Sequence, residues 1–250
     1  MILLFSVLLG MIFAPLSCVV VWKRYSYLGD GLVHSSMLAA ALHIMTKIPI
    51  EICLCFSTSF FYLMLNVLNF KENKNNEITY IVSGLMTSLA LISGDEEEFE
   101  HILFGDISNI TQANIYIEIF CILVVYSFIY LYKRDIILSS INSEIAKSQG
   151  INVKKTDGIC ILIVVSMVAI HIPIIGGFLV PALLLIPSMT VFNKSSTPNY
   201  MLVYSAFVAV FMNLFGKLLS DYFQIKTTPS IIIFGFVLFL FSRILRIIRK

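Results

Sequence analysis

Long apolar runs separated by short polar breaks set the pattern of this chain. A helix that crosses a membrane needs about 20 mostly apolar residues. Nine segments approach that length: 2–22, 27–45, 50–69, 78–94, 113–132, 158–174, 176–192, 199–219 and 229–247. The break at Ile175–Gly177 is weak and 27–45 is more polar than the others, so eight to ten spans fit the pattern. A membrane β-barrel would instead show short alternating strands. The expected fold is an all-α polytopic membrane protein with about nine transmembrane helices. One transmembrane domain, 1–250, takes up the chain, and the longest polar stretch is a loop at 133–157.

Loop charge orients the spans, because cytoplasmic loops carry the excess of Lys and Arg. With the loop after the first span inside, fourteen of the 17 basic residues fall inside. Lys47, Lys217 and Lys226 fall outside. The N-terminus is expected outside and the C-terminus in the cytoplasm. The first apolar run lacks a basic leader and its charges follow it, so it is expected to remain as a span.

Composition narrows the class. Hydrophobic residues make up 58% and charged residues 13%, about half the share usual in globular proteins. A soluble enzyme of this composition would expose large apolar patches to water. A disordered chain needs low hydrophobicity. A net charge of +2 offers no basic face for phosphates, so no nucleic-acid partner is expected. The five cysteines all lie in apolar segments and read as small apolar fillers. Cys53 and Cys55 are two apart, which on a helix points them to different faces.

Polar residues inside spans carry the chemistry. A charge at the bilayer centre costs at least about 2.5–3.5 kcal/mol. Asp30 and His34, in Ser26-Tyr-Leu-Gly-Asp-Gly-Leu-Val-His34, are four apart and share one helix face. His34 lies ten residues past Arg24, about 15 Å of helix into a layer about 30 Å thick. A carboxylate and an imidazole so placed suit a divalent transition metal. They equally suit an internal hydrogen bond that braces helix packing, and spacing leaves both open. His43 and His171 read as helix-end or packing histidines. Lys217 and Asp221 read as an i,i+4 ion pair, and Glu118 as either pore-facing or packing.

Three further stretches stand out. Asp95–His101 packs five carboxylates and a histidine into an outer loop. Gly176, Gly177, Pro181 and Pro187 interrupt an apolar run. Such breaks suit either a kinked packing helix or a cavity lining, as in transporters. Ser143–Gly150 reads as a short helix with Ser143 as N-cap, Ile145 as its apolar contact and Gly150 as its stop. The tail Arg243, Arg246, Arg249, Lys250 suits anionic lipid headgroups.

Taken in order, these pieces resemble the permease subunits of bacterial ABC importers for zinc, manganese or iron, and among them most closely the zinc permeases. The resemblance rests on the segment 26–34 with Ala39–Ala41 after it, on Leu103-Phe-Gly-Asp106, on Glu144–Val153, and on Gly177–Pro187. It covers nearly the whole chain. It implies a fold like that of type II ABC importer permeases. It implies a homodimer of permeases, two cytoplasmic ATPase subunits and an extracytoplasmic metal-binding protein, all in a bacterial inner membrane. Asp30 and His34 would contact the ion in transit. Ser143, Glu144, Ala146 and Gly150 would lie in the helix that couples to the ATPase. Gly176, Gly177, Pro181 and Pro187 would form the gating broken helix. Lys226-Thr-Thr-Pro229 departs from the family's Pro-Ser-Gly-Pro, with Gln224 in place of its aspartate and Asp221 in place of a tyrosine.

The expected function is therefore that of a transport permease and not an enzyme. Zinc, or else manganese or iron, is its substrate, and no cofactor is held permanently. The chain lacks a G-x-x-x-x-G-K-[ST] loop, so energy must come from a partner or an ion gradient. An ion-coupled secondary transporter would need coupling carboxylates deep in several spans, and only Asp30 is near the midplane. A membrane metalloprotease would need a spacing such as H-E-x-x-H, which is missing from the sequence.

Overall fold

A computed structural model describes residues 1–68, 75–92, 100, 102–105, 110–192 and 197–248, with the backbone alone at 66, 75, 76 and 245–248. Among the described residues the regular structure is helical. In chain order the helices are α1 (Ile2–Trp22), α2 (Leu28–Thr46), α3 (Ile50–Val67), α4 (Asn75–Ala90), α5 (Gln112–Ile141), α6 (Ser143–Ser148), α7 (Val153–Ile175), α8 (Leu179–Phe192), α9 (Pro198–Phe223) and α10 (Thr227–Ile248). Each of the nine apolar segments coincides with a helix. Among the described residues, five helices are long and apolar enough to cross a membrane: α1, α5, α7, α9 and the part of α10 through Ile244. The expected count of about nine spans goes beyond those five. The other four are α2, which carries more polar residues, and α3, α4 and α8, which are shorter.

The ends of the helices follow local chemistry. Thr111 caps α5 and Thr197 caps α9, each hydroxyl accepting from a backbone N–H three residues on. Pro198 opens α9, where its missing N–H costs no helical bond. Asn152 caps the start of α7, its Oδ1 accepting from Lys155 N at 3.1 Å. Two expectations about the 133–157 stretch change here. Lys133–Ile141 continues α5 rather than forming a loop, because polar residues are no barrier to a helix that already has its turns in place. The cap of α6 is Asn142, not Ser143. The Asn142 carboxamide oxygen accepts from Glu144 N at 2.8 Å and Ile145 N at 3.1 Å, which places Ser143 inside the helix.

The chain divides into two compact units. One comprises Met1–Arg24, Ile107–Asp157 and Ala182–Lys250. At its centre α1 packs on α9 and α5, and α9 packs on α10. The α1 helix is buried along most of its length, as expected for a helix apolar all round. Its crossing with α9 depends on Gly10, where a Cβ would stand 2.8 Å from Val210 N. Small residues at such crossings bring helix backbones together, the usual way to pack helices in lipid. Large apolar side chains such as Phe120, Tyr130, Leu131 and Phe207 point outward from α5 and α9.

The other unit comprises Tyr25–Asp106 and Gly158–Pro181. Here α2 packs on α3 and α4. Gly31 makes this possible, since a Cβ there would meet the Phe61 ring at 2.5 Å and Thr79 Cγ2 at 3.0 Å. The packing fixes which face of α4 looks at α2.

Candidate metal-transit site

Asp30 and His34 project from one face of α2, as their spacing predicts. His34 Nε2 lies 3.6 Å from Asp30 Oδ2, and the side chains are 30% and 50% exposed. That distance is too long for a hydrogen bond. It is close to the ~3.3 Å that separates two ligands of a tetrahedral ion with bonds of about 2.0–2.1 Å. The internal hydrogen bond that the spacing left open is therefore not formed. The other ring nitrogen, Nδ1, lies 2.7 Å from Thr87 Oγ1 on α4. Thr87 also bonds to Ser83 O at 3.0 Å, and Ser83 to Tyr80 O at 2.9 Å. Thr87 was not singled out by sequence, since one threonine in an apolar run carries no signal until α4 is set against α2. Among the described residues no cluster of three or more His, Cys, Asp or Glu side chains could hold a metal ion.

The break between α7 and α8 falls at Gly176–Phe178. Two motifs far apart in sequence meet there. Gly177 N donates to Ile102 O at 2.9 Å and Phe178 N to Leu103 O at 3.0 Å. Gly105 (φ +65°) and Gly176 (φ +79°) both take left-handed backbone, and a Cβ on either would lie 2.3 Å from the other strand of chain. Glycine is required at both. Gly177 faces α2 on the same turn as the pair, 3.2 Å from Ser36 Oγ and 3.3 Å from Val33 Cγ1 as judged by a Cβ. Pro181 occupies the first turn of α8, where no helical bond is lost, whereas Pro187 lies inside the helix. Asp106 lies outside the described residues.

The other expected sites are placed as follows. In α6, Ala146 is buried, while Glu144 and Ile145 face outward. Ala146, rather than Ile145, is thus the anchor of this helix, because a methyl suffices where α6 lies directly on its unit. Gly150 (φ +81°) stops α6 in a Schellman arrangement, with Ile151 N on Ala146 O and Gly150 N on Lys147 O, both at 3.0 Å. His43 bonds Ile48 O at 2.5 Å at the end of α2, and His171 is buried with Nδ1 2.5 Å from Met167 O. Glu118 is buried. Cys53 is buried and Cys55 exposed. Of the acidic loop 95–101, only Glu100 lies within the described residues. Gln224, at the family departure, is the left-handed C-cap of α9.

Sequence also missed an ionic cluster in the first unit. Lys23 pairs with Asp157, and its ammonium also donates to Ser139 Oγ at 2.6 Å. Lys23 is 4% exposed and Asp157 25%.

Comparison with known proteins gives the family of the chain. The profile of the ABC 3 transport family matches residues 1–246. The chain belongs to this family. As such it is a multi-pass helical permease of an ABC transporter, in which ATP hydrolysis belongs to a separate subunit. A zinc uptake system membrane protein, ZnuB, from Buchnera aphidicola subspecies Baizongia pistaciae is 27% identical over 97% of this chain and 96% of its own. ZnuB of Haemophilus influenzae is 28% identical over 96% of each. Further relatives carry iron and manganese transport names, in Haemophilus influenzae and Listeria monocytogenes respectively. The fold matches PsaBC from Streptococcus pneumoniae with a TM-score of 0.81 at 18% identity, over 96% of this chain and 89% of that one.

Proposed function

We propose that this chain is the permease subunit of an ATP-driven importer of a divalent transition metal, with zinc as its substrate. In this reading Asp30 and His34 are the transit ligands. The observation that carries it is their 3.6 Å separation on α2, too long for a hydrogen bond and close to a ligand–ligand distance. One imidazole nitrogen and one carboxylate oxygen per chain hold an ion briefly, whereas a closed set of four would trap it. A second copy of the chain would bring a pair of its own, so the four ligands belong to two separable subunits rather than to one closed set. The zinc names of ZnuB relatives support zinc over manganese or iron, and so does the imidazole.

The remaining parts follow from the same reading. The chain acts as one permease domain with about nine spans in the bacterial inner membrane, its N-terminus outside and its C-terminus cytoplasmic. An extracytoplasmic binding protein delivers the ion. Two cytoplasmic ATPase subunits engage the exposed face of α6 and its end, with Ser143, Glu144 and Gly150, while the buried Ala146 anchors the helix from the opposite face. The break at Gly176 and Gly177, with Pro181 and Pro187, gates the path. Arg243, stacked on the Phe239 ring at 5.1 Å, begins the basic tail that meets lipid headgroups.

The test is uptake into proteoliposomes holding this chain with its ATPase and binding protein, with zinc and manganese in competition. ATP-dependent zinc uptake that is lost in Asp30→Ala and in His34→Ala is expected. Uptake of manganese alone would change the substrate and keep the mechanism. Uptake without ATP would move the chain to ion-coupled secondary transport.

A further inference from the structure

A histidine that binds a metal through Nε2 must keep its proton on Nδ1, and that proton needs an acceptor. Among the described residues, the polar atom that meets Nδ1 of His34 is Thr87 Oγ1, at 2.7 Å. A hydroxyl has one proton and two acceptor lone pairs. The Thr87 hydroxyl also lies 3.0 Å from the carbonyl of Ser83, one turn back on α4. A carbonyl can only accept, so the Thr87 proton goes there, in the back-bond that helical threonines commonly make. The oxygen of Thr87 is then left as an acceptor facing His34.

We propose that Thr87 is a positioning residue: it receives the Nδ1–H of His34 and so reserves the Nε2 lone pair for the cation shared with Asp30. The proposal rests on the assignment of Asp30 and His34 as transit ligands. The brace comes from a different helix than the ligands, so it also fixes the ring's rotation relative to α2. It makes the imidazole the ligand with a preset tautomer, while Asp30, half exposed, remains free to turn. A site built in this way favours zinc through its nitrogen more than it favours manganese, which prefers oxygen.

The experiment is zinc and manganese uptake by the reconstituted complex carrying Thr87→Val, Thr87→Ser, His34→Ala and the double variant His34→Ala/Thr87→Val. Thr87→Val keeps the shape and removes the acceptor. Its zinc uptake is expected to fall about 10–100-fold, the usual effect of removing an outer partner of a metal-binding histidine. Manganese uptake is expected to fall less, so the zinc-to-manganese ratio drops. Thr87→Ser retains the oxygen and is expected to restore zinc uptake. In the His34→Ala background Thr87→Val is expected to add nothing. Should valine disturb assembly, Thr87→Ala removes the same acceptor. The proposal is overturned if Thr87→Val transports zinc like the wild type, if Thr87→Ser is as impaired as Thr87→Val, or if zinc and manganese fall together. Wild-type transport by His34→Ala would instead overturn the ligand assignment beneath it.

Discussion

Two carboxylate–base pairs in this protein are built from similar parts and differ in completeness. Lys23 and Asp157 are in contact, the lysine is 4% exposed, and Ser139 takes another of its protons. Asp30 and His34 share a helix face, stand 3.6 Å apart and remain 50% and 30% exposed. The first pair is closed: its charges satisfy each other, and an added ion would find no open lone pair between them. The second is open: its nearest nitrogen and oxygen stand 3.6 Å apart, too far for a hydrogen bond. On the proposed reading, a closed pair braces the structure and an open pair carries the ion.

The sharpest way to break the comparison is to open the closed pair. Lys23→Ala leaves Asp157 with its partner gone in a largely buried place. Breaking a buried pair costs about 3–5 kcal/mol, and the partial exposure of Asp157 lowers that to about 3. Thermal unfolding of the purified complex should show the loss. Zinc transport per folded molecule should stay within about threefold of wild type, which separates this pair from the transit site. The apolar swap Lys23→Met with Asp157→Leu should regain most of the stability. If it regains none while transport also fails, the pair does more than brace the fold.

The complementary change empties the open pair. Asp30→Ala removes a half-exposed side chain, so its effect on stability should stay within about 0.5 kcal/mol. Zinc uptake should fall at least about 100-fold, equivalent to about 2.7 kcal/mol in the transport barrier. A variant that melts early and transports normally would reverse the two assignments.

A smaller effect probes the chain around the open pair. Gly177 lies against Ser36 and Val33, and an alanine Cβ would stand 3.2 and 3.3 Å from them. Those side chains can yield slightly. Gly177→Ala should cost about 1 kcal/mol and slow uptake a few-fold. Gly176→Ala cannot be accommodated so easily, because its neighbour is backbone at 2.3 Å and its φ is +79°. The difference between these adjacent glycines, read as yield of folded complex, tests whether the break in α7–α8 is held by the 102–105 turn.

Much of this was legible in sequence, and what was not has physical causes. Among the described residues, apolar run length located every helix except the short α6, since burial in lipid or protein demands it. It misplaced their ends where a helix runs on through polar residues, as α5 does past Lys133 and Arg134 to Ile141. Asp30 and His34 were legible because helical spacing alone puts them on one face. Thr87 was not, because its role depends on α4 packing against α2. The docking of Leu103–Gly105 onto Gly176–Phe178 was hidden for the same reason: both motifs were noticed, but nothing local says that they touch. Lys23 was legible only as a positive charge on one side of the membrane, and its partner lies 134 residues away.

The smallest expected effect concerns a third pair, which shares the spacing of the open site and the closure of the other. Lys217 and Asp221 are i,i+4 on α9 and in contact at 2.5 Å, with Lys217 12% and Asp221 58% exposed. Asp221 stands where the resemblance puts a tyrosine, near the left-handed cap at Gln224. If contact is what separates structural from transit pairs, this one is structural in spite of its spacing. An exposed helical pair contributes about 0.3–0.5 kcal/mol, so Asp221→Asn should shift unfolding by no more than that. Zinc uptake should be unchanged. Loss of uptake with unchanged stability would place a second carboxylate on the ion's path. It would also show that closure in the resting structure does not decide which pairs the ion visits.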